Sequence, residues 1–248
     1  MFTFLKRKTY LREILRAGFT DYHNHLLPGI DDGCKTVDQT IACIHKLKAM
    51  GAQGIICTPH IIDSVHCNTP ATITAAMVQV KHLYPDLSTT LTYAAEYMLD
   101  NGFQKHLTDP LPLQIGNEQM LLIELGSSRM FALQHILFEI CTSRLIPLLA
   151  HPERYSYYHN KPEVYRELRD SGCRFQLNLL SLSGHYGSSV QKAATYLLRN
   201  NYYSCVGTDA HHIRHLDKIE QIKIDNTLIK HLIPILCNEK KETNSPTP

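Results

Sequence analysis

The chain has 248 residues, 44% of them hydrophobic and 19% charged, with a formal net charge of +2. That balance fits an ordinary globular domain long enough to bury a core without staples. It gives no ground for binding nucleic acid or an acidic membrane surface, and no run reaches the ~20 apolar residues of a transmembrane helix.

Met1 to Gly18 is basic and patchily apolar, without the continuous hydrophobic stretch of a secretion signal. Thereafter short apolar runs alternate with segments of helical period, the pattern of repeated βα units. Strands are predicted at Thr20–His23, Gly54–Thr58, Thr89–Ala94, Met120–Glu124, Ile146–Ala150, Arg174–Asn178 and Tyr203–Gly207. Helices are predicted at Val37–Met50, Pro70–Tyr84, Met130–Ser143, Pro162–Ser171 and Ser188–Asn200. In the first, Val37, Ile41, Ile44 and Leu47 share one face, Thr36 is the N-cap and Gly51 the stop. Asn101–Leu107 reads as a short helix, Leu111–Gly116 as an insertion, and the polar Asn238–Pro248 as a disordered tail. Seven strands alternating with helices imply a single irregular (β/α) barrel over residues 1–237, with an open doubly wound sheet as the alternative. Both architectures put chemistry at the carboxyl ends of the strands.

Cys34, Cys43, Cys57, Cys67, Cys141, Cys173, Cys205 and Cys237 form no C-x-x-C pair, and several sit in apolar runs. Reduced, buried thiols and a cytoplasmic location are expected. The fifteen histidines prompt a search for metal ligands. Asp21-Tyr22-His23-Asn24-His25 closes the first strand, and residues two apart on extended chain face the same side. The seventh strand ends as Gly207-Thr208-Asp209-Ala210-His211. Other strand ends carry His60, Glu96, Glu124 and His151. Asp31-Asp32-Gly33 supplies two carboxylates and a tight turn, which at least one aspartate is expected to serve. Singly, each histidine suits a hydrogen-bonded loop and each glutamate an ion pair. Six strand ends bearing ligand-type residues together point to a metal centre.

The run from Asp21 to Gly33, followed in order by Thr58-Pro59-His60, Leu122-Ile123-Glu124, His151-Pro152-Glu153-Arg154-Tyr155 and Gly207-Thr208-Asp209-Ala210-His211, resembles the bacterial PHP-type protein-tyrosine phosphatases of the CpsB/CapC/YwqE kind. The resemblance covers roughly residues 20 to 215. It implies a distorted TIM-like (β/α)7 barrel and a centre of three divalent transition-metal ions, Mn2+ first, with Fe or Zn also compatible with imidazole and carboxylate ligands. By resemblance, His23, His25, Glu96 and Asp209 hold one ion. Glu96 bridges to a second bound by Glu124 and His151, while Asp32, His60 and His211 hold the third. Arg154 matches a phosphate-binding arginine, Arg214 stands near a second, and His211 is a candidate proton donor to the leaving oxygen. The implied partner is a phosphotyrosine protein, a bacterial tyrosine kinase governing capsule or exopolysaccharide synthesis; a homo-oligomer is compatible with the chain.

Three divalent ions with four carboxylates and five neutral imidazoles leave a net charge of about +2, complementary to a phosphate monoester. The expected chemistry is direct attack by activated water. A thiolate mechanism is not expected, because neither Cys34 nor Cys57 has an arginine-bearing, glycine-rich phosphate cradle around it. Phe103, Tyr155, Tyr157, Tyr158 and Tyr186 are candidates for an aromatic rim, and Asn178–Gly184 for a wall of the mouth. The competing readings are a small-molecule phosphatase of the histidinol-phosphate type and an inactive PHP scaffold.

Overall fold

The computed structural model describes residues 7–87, 89–108, 111–128, 130 and 132–236. Cys237 and the expected tail at Asn238–Pro248 lie outside them. The chain opens with β1 (Lys8–Tyr10), α1 (Leu11–Leu15), β2 (Phe19–Asp21), α2 (Val37–Met50), β3 (Ala52–Cys57) and β4 (His60–Ile61). It continues through α3 (Pro70–Leu83), β5 (Leu91–Tyr93), β6 (Glu96–Met98), β7 (Met120–Glu124), α4 (Leu133–Thr142) and β8 (Ile146–Ala150). It closes with α5 (Pro162–Asp170), β9 (Arg174–Asn178), α6 (Ser188–Arg199), β10 (Tyr203–Gly207), α7 (Ile213–Glu220), β11 (Lys223–Asp225) and α8 (Asn226–Leu236).

Two parallel sheets, β2-β3-β5 and β10-β9-β8-β7-β6-β4, together form the barrel. β3 and β4 act as one stave interrupted at Thr58-Pro59, since β3 pairs with β5 and β4 with β6. The second of these staves, β5 and β6, breaks at Ala94-Ala95. Bonds from Ala94 N to Cys57 O and from Glu96 N to Pro59 O carry the ladder across both breaks. Pro59 lacks a ladder donor, which accounts for the first interruption. The ring closes where Tyr22 N donates to Val206 O at 3.1 Å and Asn24 bridges Ala210 in parallel. The barrel expectation therefore holds over the open-sheet alternative.

Alternation sorts each strand into two rows. One row fills the inside of the ring with Tyr22, Ala94, Met120, Leu122, Leu148, Ala150 and Cys205. The other meets the helices in the larger core, with Ile55, Leu121, Ile123, Leu149, Phe175 and Val206. Because Glu124 follows Met120 and Leu122 at steps of two, the inward row of β7 runs from apolar core directly to a carboxylate.

The last four predicted barrel strands have the boundaries expected, as does α2. In α2, Thr36 accepts a hydrogen bond from Gln39 N and Gly51 ends the helix at φ 108°. A side chain there would bring a Cβ within 2.3 Å of Leu15 O. Other boundaries shift by a few residues: the first strand stops at Asp21, leaving His23 and His25 on irregular backbone around the isolated bridge at Asn24. Asn101–Leu107 contains a 3-10 turn over Phe103–Leu107 rather than a regular helix. The structure adds the antiparallel pair β1 and β11, whose three-residue strands are too short to show a period, together with α1, α7 and α8. Among the described residues, no helix is long and apolar enough to cross a membrane.

Candidate metal centre

Every residue expected as a ligand stands at the carboxyl end of the ring. His23 and His25 follow β2, Asp32 lies in the next loop, and His60 and Glu96 open β4 and β6. Glu124 ends β7, His151 follows β8, and Asp209 and His211 follow β10. Their donor atoms form four overlapping groups able to hold a metal ion: His25, Asp32, His60 and His211; His23, His25 and Asp209; His23, Glu96 and His151; and His60, Glu96 and Glu124. Thus all nine residues converge. The grouping is more shared than the resemblance implies, because His60 turns Nδ1 to Glu96 at 3.0 Å and Nε2 towards Asp32 at 3.7 Å.

Hydrogen bonds behind the rings set their tautomers. His23 Nδ1 donates to Gln176 Oε1 at 3.0 Å, and His25 Nδ1 donates to Asp31 Oδ2 at 2.8 Å. Each therefore keeps its proton on the far side and presents an Nε2 lone pair inward. Those two Nε2 atoms lie 3.1 Å apart, a separation that lone pairs tolerate only around a shared positive charge. Likewise, His211 Nδ1 donates to Asp209 O at 2.9 Å, leaving Nε2 3.3 Å from Asp32 Oδ1.

Glu96 is fully buried, and neither of its carboxylate oxygens receives a hydrogen bond. Yet His23 Nε2, His25 Nε2, His60 Nδ1 and His151 Nε2 stand 3.0 to 3.5 Å from it. Such a carboxylate would be costly to bury alone, and its surroundings fit divalent cations. The electrostatics agree. Burial pushes Glu96 up, but His23, His60 and His151 outweigh it and hold the carboxyl well below its usual range. Burial likewise opposes ionisation of Asp209, and His23, His25, His151 and Arg154 overcome it. Burial disfavours a charged His23, but Glu96 and Asp209 drive it up to about 9. The carboxylates thus demand positive charge at this point, which either protons or metal ions can supply.

The two aspartates before Gly33 divide the labour. Asp31 is buried and accepts from His25 Nδ1, Gly33 N and His60 N, so it both makes the turn and aims an imidazole. Asp32, with its side chain 56% exposed, faces His60 and His211. Gly33 is required by crowding: a Cβ there would lie 1.8 Å from His25 O. His151 and Asp209 occupy left-handed backbone, at φ 34° and 50°. Side-chain-bearing residues seldom adopt it, and it aims both side chains into the ring.

Arg154 is brought to the centre; its Nη1 donates to Asp209 Oδ2 at 2.7 Å and its guanidinium lies 4.6 Å from the Tyr186 ring centroid. Arg214 is not. It is exposed in the first turn of α7 and has no hydrogen bond or ion pair among the described residues. The aromatic rim shrinks as well: Phe103, Tyr155 and Tyr158 are buried packing residues, leaving Tyr157 and Tyr186 half-buried. In the segment Asn178–Gly184, Leu179–Leu182 are buried in a 3-10 turn, while Ser183 is exposed. Cys34, Cys43, Cys57, Cys173 and Cys205 are buried free thiols as expected, whereas Cys67 and Cys141 are exposed.

Several residues take supporting roles that the sequence did not assign to them. Gln176 and Asn178 share the inward row of β9; Asn178 Nδ2 donates to Asp209 Oδ2 at 3.0 Å. Two polar residues alternating with Phe175 and Leu177 were the available signal. Asp21 accepts from Thr208 N and Oγ1, tying β2 to the end of β10. Glu153 accepts from Asn178 N and the Tyr203 hydroxyl, and burial pushes its carboxyl up to about 7. His66 and His215, which lie outside the expected ligand set, touch the site: His66 stacks on His60 and His215 Nδ1 accepts from His211 N. Removing the Asp31 charge should loosen His25 without deleting an inward donor. Asp31→Asn is expected to weaken metal affinity about 10- to 100-fold, read by competition with a chromophoric chelator. Wild-type affinity would show that Asp31 merely makes the turn.

These clusters are consistent with the active site of a metal-dependent phosphatase. The chain is 26% identical over 198 residues to the tyrosine-protein phosphatase YwqE of Bacillus subtilis, covering 78% of each. It is 27% identical over 203 residues to the tyrosine-protein phosphatase CpsB of Streptococcus pneumoniae, covering 78% of this chain and 83% of that one. Among solved structures, it superposes with a TM-score of 0.74 and 23% identity on a chain from crystal structures of YwqE and CpsB, described as metal-dependent tyrosine phosphatases; 88% of this chain and 94% of that one are covered. A lactonase, Lmo2620 of Listeria monocytogenes, shares the fold at a TM-score of 0.51 and 10% identity over 91% of this chain and 94% of that one. The family model for capsular polysaccharide synthesis proteins CpsB/CapC matches residues 19–223, and the chain belongs to that family.

Proposed function

We propose that the protein is a phosphomonoesterase that removes phosphate from tyrosine in a protein, namely a bacterial tyrosine kinase controlling capsule or exopolysaccharide synthesis. Three divalent ions, Mn2+ first, would be held by His23, His25, Asp32, His60, Glu96, Glu124, His151, Asp209 and His211. The observation that carries this reading is the buried Glu96 carboxylate, without a hydrogen bond and ringed by four imidazoles. The relatives named as tyrosine phosphatases supply the substrate class. Seven free cysteines and the absence of a membrane-spanning helix among the described residues suit the cytoplasmic setting we assign it.

When bound, such ions supply Lewis-acid polarisation of phosphoryl oxygens and acidify water. The chain's own residues do the rest. Gln176 and Asp31 keep His23 and His25 turned inward, and Asn178 and Arg154 pin one oxygen of Asp209 so that the other faces the centre. Arg154 keeps donors besides Nη1 for the nonbridging oxygens of a phosphoryl group. A phenolate leaves with a pKa near ~10, so it needs less protonation than an alkoxide.

The test is hydrolysis of a phosphotyrosine peptide against histidinol phosphate by the Mn2+-loaded protein, with and without chelator. Preference for the peptide and loss on chelation are expected. Preference for histidinol phosphate would reassign the substrate, and the absence of chelator-sensitive hydrolysis would leave an inactive scaffold.

A further inference from the structure

A cavity of about 300 Å3 opens beside the candidate metal centre, lined by Glu124, Leu125, Gly126, Ser127, His151, Arg154, Tyr155, Ser156 and Tyr157. Its chemistry is graded. Glu124, His151 and Arg154, which belong to the candidate metal centre, make its polar floor, and Tyr155 and Tyr157 line it with aromatic rings. Its volume is at the small end for ligand sites, matching one aromatic side chain better than a larger group.

Tyr157 is fixed in place from several directions. Its hydroxyl donates to Gly126 O at 3.1 Å, and its ring stacks on Tyr155 at 5.7 Å with planes 22° apart. Tyr158 meets it edge-on at 4.6 Å, and Lys161 Nζ donates to its carbonyl at 3.0 Å. Tyr155 is itself locked, donating to Ala150 O and accepting from Leu125 N, so the wall is anchored to the ends of β8 and β7. A ring held this way loses little freedom when a ligand stacks on it. It remains only half-buried while its neighbours Tyr155 and Tyr158 are buried.

We infer that Tyr157 forms an aryl subsite: its ring receives the aromatic ring of an aryl phosphate whose phosphoryl group rests on the floor beside Arg154. Alkyl phosphates engage the floor alone. The subsite rests on the phosphomonoesterase reading above and adds to it a residue that selects the aromatic ester.

The experiment uses the metal-loaded full chain and its Tyr157→Phe, Tyr157→Leu and Tyr157→Ala variants. Hydrolysis of phenyl phosphate and of glycerol phosphate is measured for each. Binding of the nonhydrolysable phenylphosphonate and methylphosphonate is measured by calorimetry. The aryl-over-alkyl ratio of kcat/KM is expected to fall about 2- to 12-fold in Tyr157→Ala and Tyr157→Leu, mainly through KM, and the phosphonate affinity ratio with it. Tyr157→Phe, which keeps the ring, should retain most of the preference. Equal loss on both esters in Tyr157→Leu, or an unaltered ratio in all variants, would overturn the subsite while leaving the phosphatase reading standing. A wild-type protein inactive on both esters would instead defeat that reading itself.

Discussion

Glu96→Gln is expected to empty part of the metal centre and cut kcat on an aryl phosphate by about a thousandfold or more. The substitution keeps shape and removes charge. Among the described residues, Glu96 alone lies within 3.5 Å of His23, His25, His60 and His151, so losing its charge affects every group that shares those imidazoles. A catalytic ion is worth several kcal/mol of transition-state stabilisation, and each 1.36 kcal/mol is a factor of ten in rate. Elemental analysis should show a fall in bound metal per chain, and far-ultraviolet circular dichroism an intact fold. A variant with the full metal complement and wild-type turnover would remove Glu96 from the centre and, with it, the main support for the proposed chemistry.

Arg154→Lys is expected to lower kcat/KM by about 100-fold while metal content stays close to that of the parent. The guanidinium is held between Asp209 and the Tyr186 ring. Burial works against its charge, but Asp209, with help from Tyr186 and the Glu124 and Glu96 carboxylates, holds the proton on it firmly. Lysine preserves the charge and loses the planar fork, so it can satisfy Asp209 or the phosphoryl oxygens but not both in one geometry. Loss of an aimed donor at developing charge typically costs 10²- to 10³-fold. The alternative outcome is informative: if metal occupancy drops and KM stays unaltered, Arg154 serves only to position Asp209.

These two residues show different degrees of legibility. Arg154 stands in a recognisable run, His151-Pro152-Glu153-Arg154, directly after a strand whose limits follow from its apolar pattern. Glu96 has no such setting. The stave that carries it is split into β5 and β6, three residues each, too short for a period-two pattern to emerge. Its place is set by pairing with His60 on one side and Leu122 on the other.

What the amino-acid order determined unaided was local: the alternation of strands and helices, the capped α2, the limits of β7 to β10, and the ligand-type residues at strand ends. Periodicity and caps act over a few residues, so they can be read without knowing the neighbours. Only the tertiary structure decided that Asp31 stands behind His25 while Asp32 faces the centre, that Tyr155 and Tyr158 are packed away while Tyr157 lines a cavity, and that Arg214 stays outside. Those outcomes turn on side-chain direction, and direction is set by contacts from distant segments, such as Gln176 on His23 across 153 positions.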